Sequence, residues 1–295
     1  MTPLDILLEP LGYDFMVRAL TATVLAAVVC ALLSCWLVLV GWSLMGDAVS
    51  HSVLPGVVIA YAIGAPFAIG ALVFGFLAVL LIGAVRGGGR VKEDAAIGIV
   101  FTTLFALGLV LISVIPSQTD LNHIVFGDIL GVSTGDLIQI GALSAVAFAV
   151  LLVKRRDLTL YAFDPTHAHA IGLNPRLLGA LLLGVLALTA VVALQVVGVI
   201  LVVAMLIIPG ATARLMTDRF GRMLVIAPLI SAASAVVGIY LSYWLDVASG
   251  PLVVVVQGAV FAIVFAVARL GGRRIRRRPG SGSARRSSPP VRLGR

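Results

Sequence analysis

Asp47 and His51 stand four residues apart in Gly41-Trp42-Ser43-Leu44-Met45-Gly46-Asp47-Ala48-Val49-Ser50-His51-Ser52-Val53-Leu54-Pro55-Gly56, a stretch bounded by strongly apolar runs. On a helix that spacing stacks both side chains on one face, close enough to share a ligand. A carboxylate oxygen with an imidazole nitrogen suits a borderline divalent metal such as Mn, Fe or Zn. Two ligands do not close a site, so a second copy of the helix, water or other groups must complete it. The simpler alternative is that the two side chains only bond each other or satisfy a neighbouring helix.

The elements that must carry this pair are membrane-spanning. The chain is 61% hydrophobic and 12% charged, with a mean hydropathy of +1.15, against about 45–50% apolar and about 25% charged in soluble domains. An ionisable residue in hydrocarbon costs at least about 2.5–3.5 kcal/mol, so it faces a cavity or a partner and marks an ion or substrate path. The expected fold is all-α, a polytopic transmembrane helix bundle of eight or nine spans. Candidates lie at about 17–40, 42–64, 67–85, 95–116, 137–153, 177–196, 198–214, 223–245 and 251–269. The chain divides into an external amphipathic segment at 1–16, a transmembrane domain at 17–270 and an Arg-rich tail at 271–295.

Charge sorts by position. From Arg269 to Arg295 there are ten arginines and no acids, leaving 11 basic and 13 acidic residues elsewhere, so the formal charge of +8 belongs to the tail. With Pro, Gly and Ser around them, these arginines read as a disordered cytoplasmic segment near anionic lipid. No aromatic platform accompanies them, which argues against nucleic acid. Lys and Arg in the short loops (Arg86, Arg90, Lys92, Lys154, Arg155, Arg156, Arg176, Arg214, Arg219, Arg222) fall on the same side as the tail. The positive-inside rule then sets the N-terminus outside and the C-terminus in the cytoplasm. Met1-Thr2-Pro3-Leu4-Asp5 lacks a basic n-region, so the first span is expected to direct insertion itself. Cys30 and Cys35 point apart on a helix and read as small core residues.

Three other places could do chemistry or coupling. His123, in the outer loop 116–136, is an accessory metal ligand or a solvated interfacial histidine. In the inner loop, Asp164-Pro165 is a cap and first-turn pair that should start a short helix through Ile171, ended by Gly172. Such a helix could dock a soluble partner; His167 and His169, two apart, do not share a face. Pro209-Gly210 interrupts an apolar run, either as a broken helix lining the pathway or as an ordinary kink. No phosphate loop occurs, and Lys92 and Lys154 are the only lysines, so an ATP-driven role needs another subunit. No nucleophile–base constellation suggests an enzyme.

Together these segments resemble the membrane-spanning permease of bacterial ATP-binding-cassette importers for manganese, zinc and iron. The resemblance rests on Gly46 to Gly56, Lys92-Glu93-Asp94-Ala95-Ala96-Ile97-Gly98, Phe126-Gly127-Asp128-Ile129-Leu130, Asp164 to Leu173 and Val197 to Ala211, in the family's order. It implies a homodimer in the plasma (inner) membrane, two cytoplasmic ATPases and an extracytoplasmic metal-binding protein. It implies no tightly bound cofactor, only a transported divalent ion. Asp47 and His51 match the intramembrane metal positions; Asp164, Ala168 and Gly172 fall in the segment that couples to the ATPase. Gly41-Trp42 and Leu121-Asn122-His123 look more like the manganese/iron branch than the zinc branch. A secondary cation or metabolite transporter, with Asp47 as proton relay, is the alternative, and a scaffold acting through the basic tail is a third.

Overall fold

The computed structural model describes residues 9–87, 91–115, 131–197 and 199–276, and among these only helices, turns and bends occur. A 3-10 turn, Glu9–Gly12, leads into α1 (Asp14–Val40). There follow α2 (Ser43–Ser52), α3 (Leu54–Ala62), α4 (Phe67–Gly87), α5 (Glu93–Val114) and α6 (Thr134–Val153). Two short helices, α7 (Arg155–Phe163) and α8 (Pro165–Ala170), precede α9 (Pro175–Val197), α10 (Val199–Met216), α11 (Phe220–Leu245) and α12 (Ser249–Arg276). Eight stretches are long and apolar enough to cross a membrane, and Val202–Met216 is a ninth, shorter apolar helix. That matches the eight or nine spans expected. His123 and the segment Phe126 to Leu130 lie outside the described residues, as do residues 1–8 and the tail beyond Arg276.

Helix α1 is the axis of the bundle, packed by α6, α9, α10 and α11. Its buried positions are largely small: Ala19, Ala22, Ala26, Ala27, Cys30, Ala31, Ser34 and Cys35. Lipid is as apolar as leucine, so spans associate by close van der Waals approach, which small residues permit. Both cysteines are free and buried, as the sequence led us to expect. At the far side α12 has only 11% of its spanning window buried, against 67% for α1, so α12 is peripheral and presents Val255, Ile263 and Val267 outward.

The span expected at 42–64 is present as Leu44–Ala62, and within it the chain turns between Ser52 and Leu54. Pro55 has no amide hydrogen to give the His51 carbonyl, so the ladder is interrupted one turn after the imidazole. Conversely, Pro209-Gly210 does not break its helix; α10 runs through it. The hydroxyl of Ser34 on α1 lies beside it. It accepts the Gly210 amide at 3.0 Å and lies 3.4 Å from the Ile207 carbonyl, to which it donates. A neighbouring serine thus satisfies polar groups beside the proline, the means by which spanning helices tolerate it. Gly210 is needed for proximity instead, since a Cβ there would lie 2.8 Å from the Ser34 carbonyl carbon.

Several boundaries follow local chemistry. Gly41, at φ +84°, caps α1, and both Gly41 and Trp42 donate to the Leu37 carbonyl at 3.0 and 2.8 Å. Ser133 caps α6 in a reciprocal capping box with Asp136, which starts that helix a few residues before the span at 137–153. At the other end of the chain α12 continues to Arg276, beyond its spanning stretch, which ends at Leu270.

Candidate metal site

The site is built on α2, a helix with two different faces. Met45, Ala48, Val49 and Ser52 are buried, and Gly46 lies against α10, where an added Cβ would stand 3.1 Å from a Leu206 methyl. The other face carries Leu44, 60% exposed, with Asp47 and His51, whose side chains are 38% and 21% exposed. Asp47 and His51 are brought together as their spacing predicts: Oδ1 and Nε2 are 3.2 Å apart. Ser50 and Ser52 donate to the carbonyls of Asp47 and Ala48, at 2.9 and 2.6 Å, and so turn their hydroxyls back on the helix.

The distance between the two donors decides what they can hold. Ligands at about 2.2 Å from one ion, at right angles to each other, are about 3.1 Å apart. The observed 3.2 Å therefore fits adjacent positions on a single divalent ion as well as a direct hydrogen bond. The imidazole is oriented by two aromatic rings absent from the sequence reading. Phe101 and Phe105 on α5 both have centroids 5.3 Å from that of His51, and Phe105 meets it edge-on at 82°. Nδ1 is buried without a hydrogen-bond partner while Nε2 faces Asp47, so Nε2 is the nitrogen available to a ligand. The spacing of Phe101 and Phe105, four apart on a span, was the available signal, but it is also ordinary lipid-facing sequence.

No third His, Cys, Asp or Glu joins the pair among the described residues. An exposed carboxylate on a spanning helix is costly against lipid, so the open face of α2 must meet a water-filled path or another subunit.

The loop from Asp164 to Gly172 forms the short helix expected of it. The Asp164 carboxylate accepts the His167 amide at 2.9 Å, Pro165 occupies the first turn, and Gly172 leaves the helix at φ +90°. Ala168 is fully buried. It therefore faces the chain's own helices, α7 and α9, and the surface left for a partner consists of residues such as Thr166, His169 and Ile171. Tyr161 on α7 meets Trp42 edge-on at 6.4 Å, and Trp36 donates its ring N–H to Thr159 at 3.3 Å. The α7–α8 unit is thereby fixed to the end of α1, just before the helix that carries Asp47.

An all-helical, multi-pass bundle with a polar pair on an interrupted span has the build of a permease. The chain belongs to the ABC 3 transport family, whose sequence profile matches residues 12–268. It is 52% identical over 257 residues to the manganese transport system membrane protein MntB of Synechocystis sp., covering 87% of this chain and 84% of that one. It is 45% identical over 293 residues to the chelated iron transport system membrane protein YfeC of Yersinia pestis, covering 98% of both. Among solved structures, PsaBC from Streptococcus pneumoniae in complex with Fab superposes with a TM-score of 0.82 at 37% identity, over 89% of this chain and 95% of that one.

Proposed function

We propose that this chain is the membrane-spanning subunit of an importer that carries a divalent transition-metal ion, Mn2+ or Fe2+ in preference to Zn2+, across the bacterial plasma membrane. The observation that carries the reading is the pair of ligand atoms 3.2 Å apart on the open face of α2. The pair would supply half a coordination sphere from a partly exposed face. A homodimer would supply the other half from the same face of the second copy, giving two carboxylates and two imidazoles, a set suited to borderline divalent ions. The names of the manganese and iron relatives support the choice of cargo.

Alternating access is driven by a separate ATPase, since the chain has no phosphate loop. Asp164 to Gly172 forms the helix on which that ATPase pushes, its motion passing through Tyr161 and Trp42 to α2. From Trp42 to Asp47 is about 7 Å along a helix, so the connection is short. Ion delivery falls to an extracytoplasmic binding protein on the acidic side of the membrane; the basic loops support a cytoplasmic position for α7, α8 and the C-terminus. Pro209 and Gly210 line the pathway as part of a continuous helix.

Reconstitution tests the energy source. In proteoliposomes with the ATPase and the binding protein, manganese should accumulate only with ATP. Accumulation driven by a proton gradient with the ATPase omitted would establish a secondary transporter instead.

A further inference from the structure

A pocket of about 480 Å³ opens between α7 and the start of α11, lined by Arg155, Arg156, Thr159, Leu160, Phe163, Phe220, Gly221 and Leu224. Its two arginines are exposed, and no carboxylate pairs with either of them among the described residues. The acid nearest in sequence, Asp157, is held by Lys154 at 3.2 Å. Behind the basic rim the lining is apolar and aromatic, Phe163 meeting Phe220 edge-on at 6.2 Å and Phe220 meeting Trp36 at 5.3 Å.

The pocket lies at the membrane boundary. Helix α7 begins just after the last residue of the spanning helix α6, Val153, and Phe220 is the first residue of the spanning helix α11. Leu224 is one turn further into that span, about 6 Å deeper. The cavity thus runs from two exposed guanidinium groups to an apolar wall that continues in the direction of the hydrocarbon. A free anion would have no use for that wall, and a neutral lipid none for the arginines. We infer that this is a binding site for an anionic phospholipid, its phosphate on Arg155 and Arg156 and the start of an acyl chain against Leu160, Phe163, Phe220 and Leu224. Basic pockets between spanning helices at the cytoplasmic boundary select such head groups. Because α7 also carries Thr159 and Tyr161, which hold Trp36 and Trp42, a bound lipid would brace the unit that connects α8 to α2.

The test uses the full chain in vesicles of phosphatidylcholine and phosphatidylglycerol in equal parts, extracted in mild detergent and weighed by native mass spectrometry. Wild type should retain phosphatidylglycerol in preference to phosphatidylcholine. Each arginine is expected to contribute about fivefold, so Arg155→Gln with Arg156→Gln should weaken retention about 30-fold. Arg176→Gln, an exposed basic position outside the pocket, should not change it. Equal retention of the two lipids by wild type, undiminished retention by the double variant, or full displacement by inorganic phosphate would each overturn the proposal. So would a double variant that keeps its lipid and loses a soluble protein subunit, for the pocket would then be a protein-docking surface.

Discussion

Gly56→Ala is the perturbation whose size the structure sets most directly. Gly56 on α3 and Gly70 on α4 face each other so closely that a Cβ on either would overlap the other's carbonyl oxygen. The same Cβ on Gly56 would lie 2.6 Å from the Gly70 carbonyl carbon and 2.8 Å from a Phe74 ring carbon. Ordinary contact begins near 3.4 Å, so the two helices must part by more than about 0.8 Å, and the obstacle is backbone that cannot rotate aside. Overpacking at the severe end costs about 3 kcal/mol, while alanine returns about 1 kcal/mol of helix propensity. The net loss of about 2 kcal/mol corresponds to about 4–8 °C in midpoint. Thermal unfolding of the purified protein in detergent, followed by tryptophan fluorescence, reads this directly. Gly83→Ala on α4, where nothing lies within 4 Å of the added carbon, is the control and should melt at or slightly above the wild-type temperature. If Gly56→Ala also melts at the wild-type temperature, the close crossing of α3 and α4 is wrong, and with it the placement of the break that follows His51.

Three further outcomes follow from particular contacts. Ser34→Ala leaves the Gly210 amide unsatisfied at a buried helix contact and should cost about 1–3 kcal/mol; an unchanged midpoint would mean that α10 needs no help at its proline. Phe105→Ala removes one of the two rings against His51 and should raise the apparent KM for manganese about tenfold, at the low end for losses around a metal ligand, with a smaller effect on maximal uptake; equal losses in both would point to a general packing defect. In α8, Ile171→Asp, at an exposed residue, should reduce ATPase co-purification while leaving the melting temperature unchanged. Ala168→Glu should lower both, because Ala168 is buried in the chain itself.

Much of this architecture was legible because lipid is a stringent solvent. Spans announce themselves by length and composition, and Asp164-Pro165 through Gly172 by the chemistry of caps. The Asp47–His51 pair followed from helical spacing alone. What escaped the sequence was what depends on a neighbour. The chain turns just before Pro55 but runs helically through Pro209, beside which a serine hydroxyl from another helix, distant in sequence, accepts the Gly210 amide. Ala168 looked like a position for a partner, yet its small size serves to seat α8 on α7 and α9. Phe101 and Phe105 carry no polar atom to mark them, so only their proximity to His51 singles them out.

The central claim is that Asp47 and His51 bind the transported ion. Its most direct test is uptake of radiolabelled manganese, with iron and zinc as competitors, in cells co-expressing the chain with the ATPase and binding protein proposed to serve it. Asp47→Ala and His51→Ala should each abolish uptake while inserting and assembling normally, and iron should compete better than zinc. Wild-type accumulation in a correctly inserted Asp47→Ala protein would contradict the account.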